Sequence, residues 1–251
     1  MKKNRIAVII VTYNGKDWLD TCIRKLYNLD SIEIIIIDNN STDNTVEIVK
    51  ERYPLIHLIE SKINLGFGKA NNLGFEYAIE GNFDYVFLLN QDASIDKITL
   101  LKLVENYKKD NNIGILSPVH LKNDFELENI FKSYLKKEYS ELIGNNYTVS
   151  VNFVNAALWL ISIDNLKLFG GFNPTFFHYG EDVEYVNRVK YYKKKISVDL
   201  NSKGYHFRDY NLKEVRKNIS TKSHLGPWHN KYYIILLNNN YKILRSFRWY
   251  H

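Results

Sequence analysis

Cysteine occurs once in this 251-residue chain, at Cys22, and methionine once. A lone thiol excludes an internal disulfide framework and a thiolate-rich metal site, and it fits a reducing compartment. Cys22 stands at helical spacing with Trp18, Leu19, Ile23 and Leu26, so it reads as a small core residue. Proline is scarce too, at four residues, and with 12 glycines this leaves no composition for a long flexible linker. No repeat recurs at a solenoid period. No apolar run approaches the ~20 residues of a membrane span. Met1 to Arg5 followed by the apolar residues 6–11 imitates a secretory leader. That run is short and no small-residue cleavage site follows, so it reads as a buried first strand.

What is present is a core and a basic surface. Hydrophobic residues make up 45% of the chain, enough for one compact globular unit. The formal net charge of +6 and pI near 9.0 admit nucleic acid, an anionic membrane or an anionic substrate as partner. The basic residues are dispersed, and the clusters Lys108-Lys109, Lys136-Lys137 and Lys193-Lys194-Lys195 read as solvated faces. No nucleic-acid reading motif accompanies them, so no nucleic-acid partner is expected.

Along the chain, near-continuous aliphatic runs at 6–12, 32–37 and 85–89, with a shorter one at 56–60, have the pattern of parallel strands covered on both faces. Helical patterns over about 16–28, 44–52, from the 64–72 loop to 80, and 98–107 alternate with them. Such alternation argues for a doubly wound α/β sheet whose ligand edge gathers the strand ends. Residues 119–150 turn polar and read as a partly helical insertion. Further strands are expected at 153–161 and 196–200. Helices are expected over 166–172, closing at glycine, and from 181 onward. The end of the chain is rich in aromatic and basic residues, including Trp228, Tyr232, Tyr233, Tyr241, Phe247, Trp249 and Tyr250.

The sharpest change of character is Phe87-Leu88-Leu89-Asn90-Gln91-Asp92, where an apolar strand breaks into amides and an acid. Asn and Asp also suit an ordinary turn there. Glycines in Asn64-Leu65-Gly66-Phe67-Gly68 let backbone approach a ligand, and the helix start that follows offers unpaired amides to an anion. Glu181 and Asp182 open a later helix, where they also complement its dipole.

Taken together, Val11-Thr12-Tyr13-Asn14, Ile37-Asp38-Asn39-Asn40-Ser41-Thr42-Asp43, Asn64 to Gly68 with Asn71-Asn72, Leu89-Asn90-Gln91-Asp92, Gly170-Gly171-Phe172 and Gly180-Glu181-Asp182 occur in one order over about residues 6–210. In this they resemble family 2 of the inverting nucleotide-sugar glycosyltransferases, of GT-A fold, and within it the rhamnosyltransferase-like branch. The resemblance implies a Rossmann-like, mostly parallel sheet flanked by helices. The transferase domain would span 1–215, with a nucleotide-sugar half over 1–118 and an acceptor half over 119–215. A helical, aromatic extension would follow over 216–251.

It also implies roles. Thr12, Tyr13, Asn14, Asp38 and Asn40 would surround the nucleotide. Asn64, Gly66, Phe67, Lys69 and Asn72 would line the donor pocket, with Asn90 and Gln91 beside it. Asp92 would hold Mg²⁺ or Mn²⁺ against the donor diphosphate, with His206 a further ligand. The family's first acid in this element is Asn90 here, one carboxylate fewer. Asp182 would be the catalytic base, with Glu181 and Trp159 on the acceptor side. The expected partners are a dTDP-sugar, rhamnose favoured, or a UDP-sugar, together with a glycan or lipid-linked acceptor of cell-surface polysaccharide synthesis. The expected location is cytoplasmic, with the tail resting on the membrane. A catalytically weak glycan- or nucleotide-binding module and a sugar nucleotidyltransferase stand as alternatives. The latter would want a basic, glycine-rich loop after the first strand, which Thr12-Tyr13-Asn14-Gly15 lacks.

Overall fold

Strands Ile6–Thr12 (β1), Ile32–Asp38 (β2) and Tyr85–Leu89 (β4) are almost wholly buried, as their predominantly apolar sequences require. With the half-exposed edge strand His57–Glu60 (β3) they form a parallel set in the order β3-β2-β1-β4. The computed structural model describes residues 3–135, 148–207, 233–234 and 237–238. The sheet continues from β4 into Leu158–Ser162 (β8), Ile113–Leu121 (β6), Lys195–His206 (β9) and Ala93–Ser94 (β5), and Thr148–Val151 (β7) pairs with β9. β8 is antiparallel to both neighbours, whereas β6 and β9 are parallel.

Helices cover both faces. On one face, Ala70, Phe75 and Ala78 of Phe67–Glu80 (α3) pack on Ile9, Ile35 and Ile37. That layer continues into Ile163–Phe169 (α6) and Glu181–Tyr191 (α7). A Cβ at Gly74 would lie 2.6 Å from Ile9, so glycine there lets α3 sit tightly on β1. On the other face, Leu19–Ile23 (α1), Thr45–Arg52 (α2) and Lys97–Tyr107 (α4) deliver Leu19, Cys22, Ile23, Val49, Leu100 and Leu103 onto Val8, Ile10, Ile34 and Ile36. Each such fully buried aliphatic chain contributes roughly 1.5–3 kcal/mol. Caps set the helix starts: Asp96 accepts from Thr99 N–H to begin α4, and Ser162 from Asn165 N–H to begin α6. A short helix, Asn129–Lys132 (α5), lies after β6.

Several expectations shift. The helix expected over 16–28 is α-helical only at Leu19–Ile23. The polar stretch expected at 119–150 is entered by β6 and left by β7, and its residues 136–147 lie outside the described set. β8 begins at Leu158 rather than at 153, and β9 runs through His206 rather than stopping at Leu200. Of the tail aromatics named above, only Tyr233 falls among the described residues. Among the described residues, no helix is long and apolar enough to cross a membrane.

Candidate active site

β1, β2 and β4 end at the same edge of the sheet, with Thr12 paired to Asp38 in register. The turns that leave this edge enclose a cleft of about 400 Å³ lined by Val11, Tyr13, Asn39, Asn64, Gly66, Phe67, Asn90, Gln91, Asp92, Phe177 and His178. Seven of these were expected from the sequence: Tyr13, Asn64, Gly66, Phe67, Asn90, Gln91 and Asp92.

Side chains that imitate backbone hold the walls. Gln91 Oε1 accepts the Tyr13 N–H at 2.9 Å while its Nε2 donates to the Tyr13 carbonyl at 3.3 Å, locking the β4 exit to the β1 exit. Asn39 Nδ2 donates to Asn64 Oδ1 at 2.9 Å, and Asn39 Oδ1 accepts from Leu65 N–H at 2.7 Å. Asn64 Oδ1 also accepts from Gly66 N–H at 2.9 Å, so one amide pair fixes the loop before α3. Gly66 has φ +78°, and a Cβ there would meet the Phe177 carbonyl at 2.1 Å. Only glycine allows this left-handed turn to touch the 177–178 segment.

Other expected residues stand behind the walls. Asp38 is 3% exposed. Its Oδ1 accepts from the Thr12 hydroxyl at 3.0 Å and the Ser41 hydroxyl at 2.6 Å, and its Oδ2 from Ser41 N–H at 2.9 Å. Asn14 Oδ1 accepts from Thr42 N–H at 2.8 Å, stitching the same two turns, and Asn40 is exposed at φ +67°. Asn72 is turned the other way, its amide bonded to both the N–H and the carbonyl of Phe172 at 2.7 and 2.9 Å. Lys69 is exposed on α3 and is not among the lining residues. Trp159, expected on the acceptor side, is instead fully buried against Phe172 and Tyr185, because β8 turns that side chain into the core under α7.

At the corner expected to hold a metal, Asp92 Oδ1 lies 3.4 Å from Nε2 of the fully buried His206. β5 and β9 produce this approach by pairing Ala93 with His206, and Phe207 N–H donates to the Asp92 carbonyl at 2.8 Å. Two ligands at right angles on a cation of Mg²⁺ size, each about 2.1 Å from it, would lie about 3.0 Å apart, so the pair fits neighbouring positions on one ion. Among the described residues no group of three or more His, Cys, Asp or Glu gathers.

Glu181 and Asp182 open α7 after the left-handed pair Tyr179 (φ +65°) and Gly180 (φ +99°). They are not equivalent. Glu181 is 6% exposed, with an Oε2 that has no hydrogen-bond partner among the described residues. Burial, reinforced by the charge of Asp182, pushes its pKa up to about 7. Asp182 is half-buried, and its Oδ1 accepts the Val183 N–H at 2.8 Å. Neither lines the 400 Å³ cleft. The next acid, Glu184, is held by Arg188 at 2.7 Å and is structural. Sequence reasoning missed Val11, Asn39, Phe177 and His178 as lining residues. Asn39 lies inside a motif singled out above, but nothing local announces its partner 25 residues on.

The family model for glycosyl transferase family 2 matches residues 7–166. The chain belongs to this family. Asp182 and His206 lie beyond the matched segment. Among curated family relatives, the poly-beta-1,6-N-acetyl-D-glucosamine synthase of Staphylococcus aureus (strain MSSA476) is 29% identical over 145 residues, 55% of this chain and 34% of that protein. An uncharacterized glycosyltransferase of Escherichia coli (strain K12), YibD, is 42% identical over 80 residues, 30% of this chain and 23% of that protein. The chain thus spans about a third or less of the curated relatives it matches. Among solved structures, the mannosyltransferase PcManGT from Pyrobaculum calidifontis, in complex with GDP-Man and Mn²⁺, superposes with TM-score 0.65 at 21% identity, covering 95% of this chain and 72% of that one. S. aureus TarS 1–349 gives TM-score 0.60 at 19% identity, over 90% and 68%. These likenesses show the GT-A fold of this family 2 member.

Proposed function

We propose that this chain is an inverting glycosyltransferase that moves a sugar from a nucleoside diphosphate to a glycan or lipid-linked acceptor. The observation that carries the reading is the cleft at the joined ends of β1, β2 and β4, with Asp92 in its lining and the buried His206 directly behind that carboxylate. Tyr13, Asn64, Gly66, Phe67, Asn90 and Gln91 form the donor wall, and Asp38 with Asn14 braces the turns under the nucleotide. Asp92 and His206 would hold Mg²⁺ or Mn²⁺, which when bound would neutralise charge on the donor diphosphate. The names of similar structures, one with GDP-Man and Mn²⁺ and another, GalNAc-T7, with UDP, GalNAc and Mn²⁺, support such a donor and metal.

Inversion needs a carboxylate on the acceptor side to take the proton of the attacking hydroxyl. Asp182 is assigned this role because it is the less buried of the two acids at the start of α7. Buried Glu181 shapes that helix start and the position of its neighbour. For the donor we favour dTDP-rhamnose on the Asn90-Gln91-Asp92 variant, with UDP-hexoses next. We place the transfer in cell-surface polysaccharide synthesis at the cytoplasmic face of a membrane, with the aromatic, basic tail on anionic lipid.

The test is release of nucleoside diphosphate from a donor panel, with Mg²⁺ or Mn²⁺ and with EDTA. Acceptor-stimulated release that EDTA abolishes is the expected result. Binding of nucleotides without turnover of any donor would instead establish a binding module, and formation of nucleotide-sugar from nucleoside triphosphate would establish a nucleotidyltransferase.

A further inference from the structure

The β6–β9 ladder is irregular at two places, a one-residue step between Ile113 and Ile115 and a larger one between Pro118 and Val119, and the second lies before the proposed metal corner. β6 and β9 pair in parallel until Pro118 meets Asp199, and the next pair is Val119 with Lys203. Three residues of β9, Leu200, Asn201 and Ser202, have no opposite number on β6. Were they paired one-for-one with β6 instead, Lys203 would stand at the level His206 now occupies, and the odd, three-residue slip would also turn the side chains to the other face of the sheet. Bulges of this kind re-aim side chains beside active sites.

A buried carboxylate holds the bulge. Asp199 is 0% exposed. Its Oδ2 accepts from the Asn106 amide and from the Ser202 hydroxyl, both at 2.7 Å, and its Oδ1 from the Asn201 N–H at 3.0 Å. Asn106 stands on α4, and Lys102, one turn earlier on that helix, donates to the Asn201 carbonyl at 3.2 Å. Thus α4 grips the extra residues from outside while Asp199 folds them from within. A sheet needs no charged group there, and a buried carboxylate is retained only at a desolvation cost. Beyond the bulge the restored pairing sets His120 opposite Gly204, and the His120 ring stands edge-on to His206 at 5.9 Å between centroids. Ser117 Oγ, 2.8 Å from His120 Nε2, and the stacked ring of Phe131 fix His120 in turn.

We infer that Asp199 is a positioning residue for the metal corner: by holding the Leu200–Ser202 bulge to α4, it sets the register that presents His206 to Asp92. The inference rests on the metal reading proposed above, yet it concerns a residue seven positions before His206 on β9, on the far side of the bulge, that belongs to neither the proposed metal shell nor the cleft lining. It predicts that metal affinity, and not nucleotide affinity, tracks the Asp199–Asn106 bond.

The experiment measures Mn²⁺ binding by electron paramagnetic resonance on the full chain in the presence of a nucleoside diphosphate. Nucleoside diphosphate binding without metal is measured alongside it by calorimetry. Asp199→Ala should weaken Mn²⁺ by about 10- to 100-fold, the usual cost of losing a supporting residue, and leave metal-free nucleotide binding within about twofold. Because Asp199→Ala could fail to fold, the exchange Asp199→Asn with Asn106→Asp is tested as well, since it restores a carboxylate–amide pair across the same gap. The exchange should recover Mn²⁺ affinity that Asp199→Asn alone loses. Unchanged Mn²⁺ affinity in folded Asp199→Ala would overturn the inference, as would equal Mn²⁺ affinity in the single and exchanged variants. Failure of the unaltered chain to bind Mn²⁺ at all would sink the metal reading itself, and this assignment with it.

Discussion

Replacing Glu181 by glutamine removes an ionisable group from a place that disfavours its charge. The folded chain holds the carboxyl near pKa 7 against an ordinary 4.5, through burial first and the Asp182 charge second. Between those two values the folded state binds more protons than the unfolded state, so stability falls as pH rises through about 4.5 to 7. Above pH 7 the penalty is complete, and its size is about 3 kcal/mol from the separation of the two values. Glutamine keeps the shape and carries no charge at any pH. Glu181→Gln should therefore match the unaltered chain near pH 4.5 and exceed it at pH 8 by as much as about 3 kcal/mol. For a chain of this length that is about 6–12 °C in Tm. Urea unfolding at several pH values gives the difference directly. A variant no more stable than the parent at pH 8, or one with the parent's full pH slope, would refute the claim that this acid is buried and uncompensated.

Other perturbations separate the roles assigned above. Asp182→Asn should cut transfer by about 10²- to 10⁴-fold, the range for a lost general base, while calorimetry finds donor binding nearly intact; near-normal turnover would remove the assignment. Asp92→Ala should lower metal-stimulated diphosphate release by more than about 100-fold, beyond what a merely supporting residue costs, and leave no response to EDTA. Asn39→Ala strands the Leu65 N–H and loosens Asn64, so unfolding should become easier by about 1–3 kcal/mol, with nucleotide affinity falling in parallel. Gly66→Ala forces a Cβ onto the Phe177 carbonyl in a left-handed turn. It should cost about 2 kcal/mol or more, readable as a lowered Tm.

The parts of the fold legible in the sequence were those whose burial is written in a single residue type. β1, β2 and β4 are apolar along nearly their whole length because both their faces are covered, and α4 shows helical periodicity, although its buried face is Leu100, Leu103, Val104 and Tyr107, with Ile98 exposed. β6 was not legible because its buried positions include Gly114, Ser117, Pro118 and His120. Ser117 and His120 satisfy one another there, and Pro118 falls at the register break, where a strand tolerates a missing N–H. The last half of β9 was hidden by the same bulge, which interrupts alternation just before His206. At the site, motif residues at strand ends marked the cleft, since the topology brings those ends together. Which of them face it and which brace it from behind depends on pairings 25 to 100 residues apart, such as Asn39 with Asn64 and Asn72 with Phe172. Trp159 shows the same limit: an aromatic residue in a strand reads alike whether it points to solvent or to core.

β8 runs antiparallel between β4 and β6, so hydrogen bonds carry across from β4 to β9, the strand that bears His206, without a break. The cleft is therefore cut into the rim of one stiff plate instead of lying in a crease between two. A swing of one half of the sheet against the other would have to break that ladder. Among the described residues, the 177–180 stretch, wedged on Gly66 at Phe177 and leading through two left-handed residues into α7, joins the cleft to Asp182.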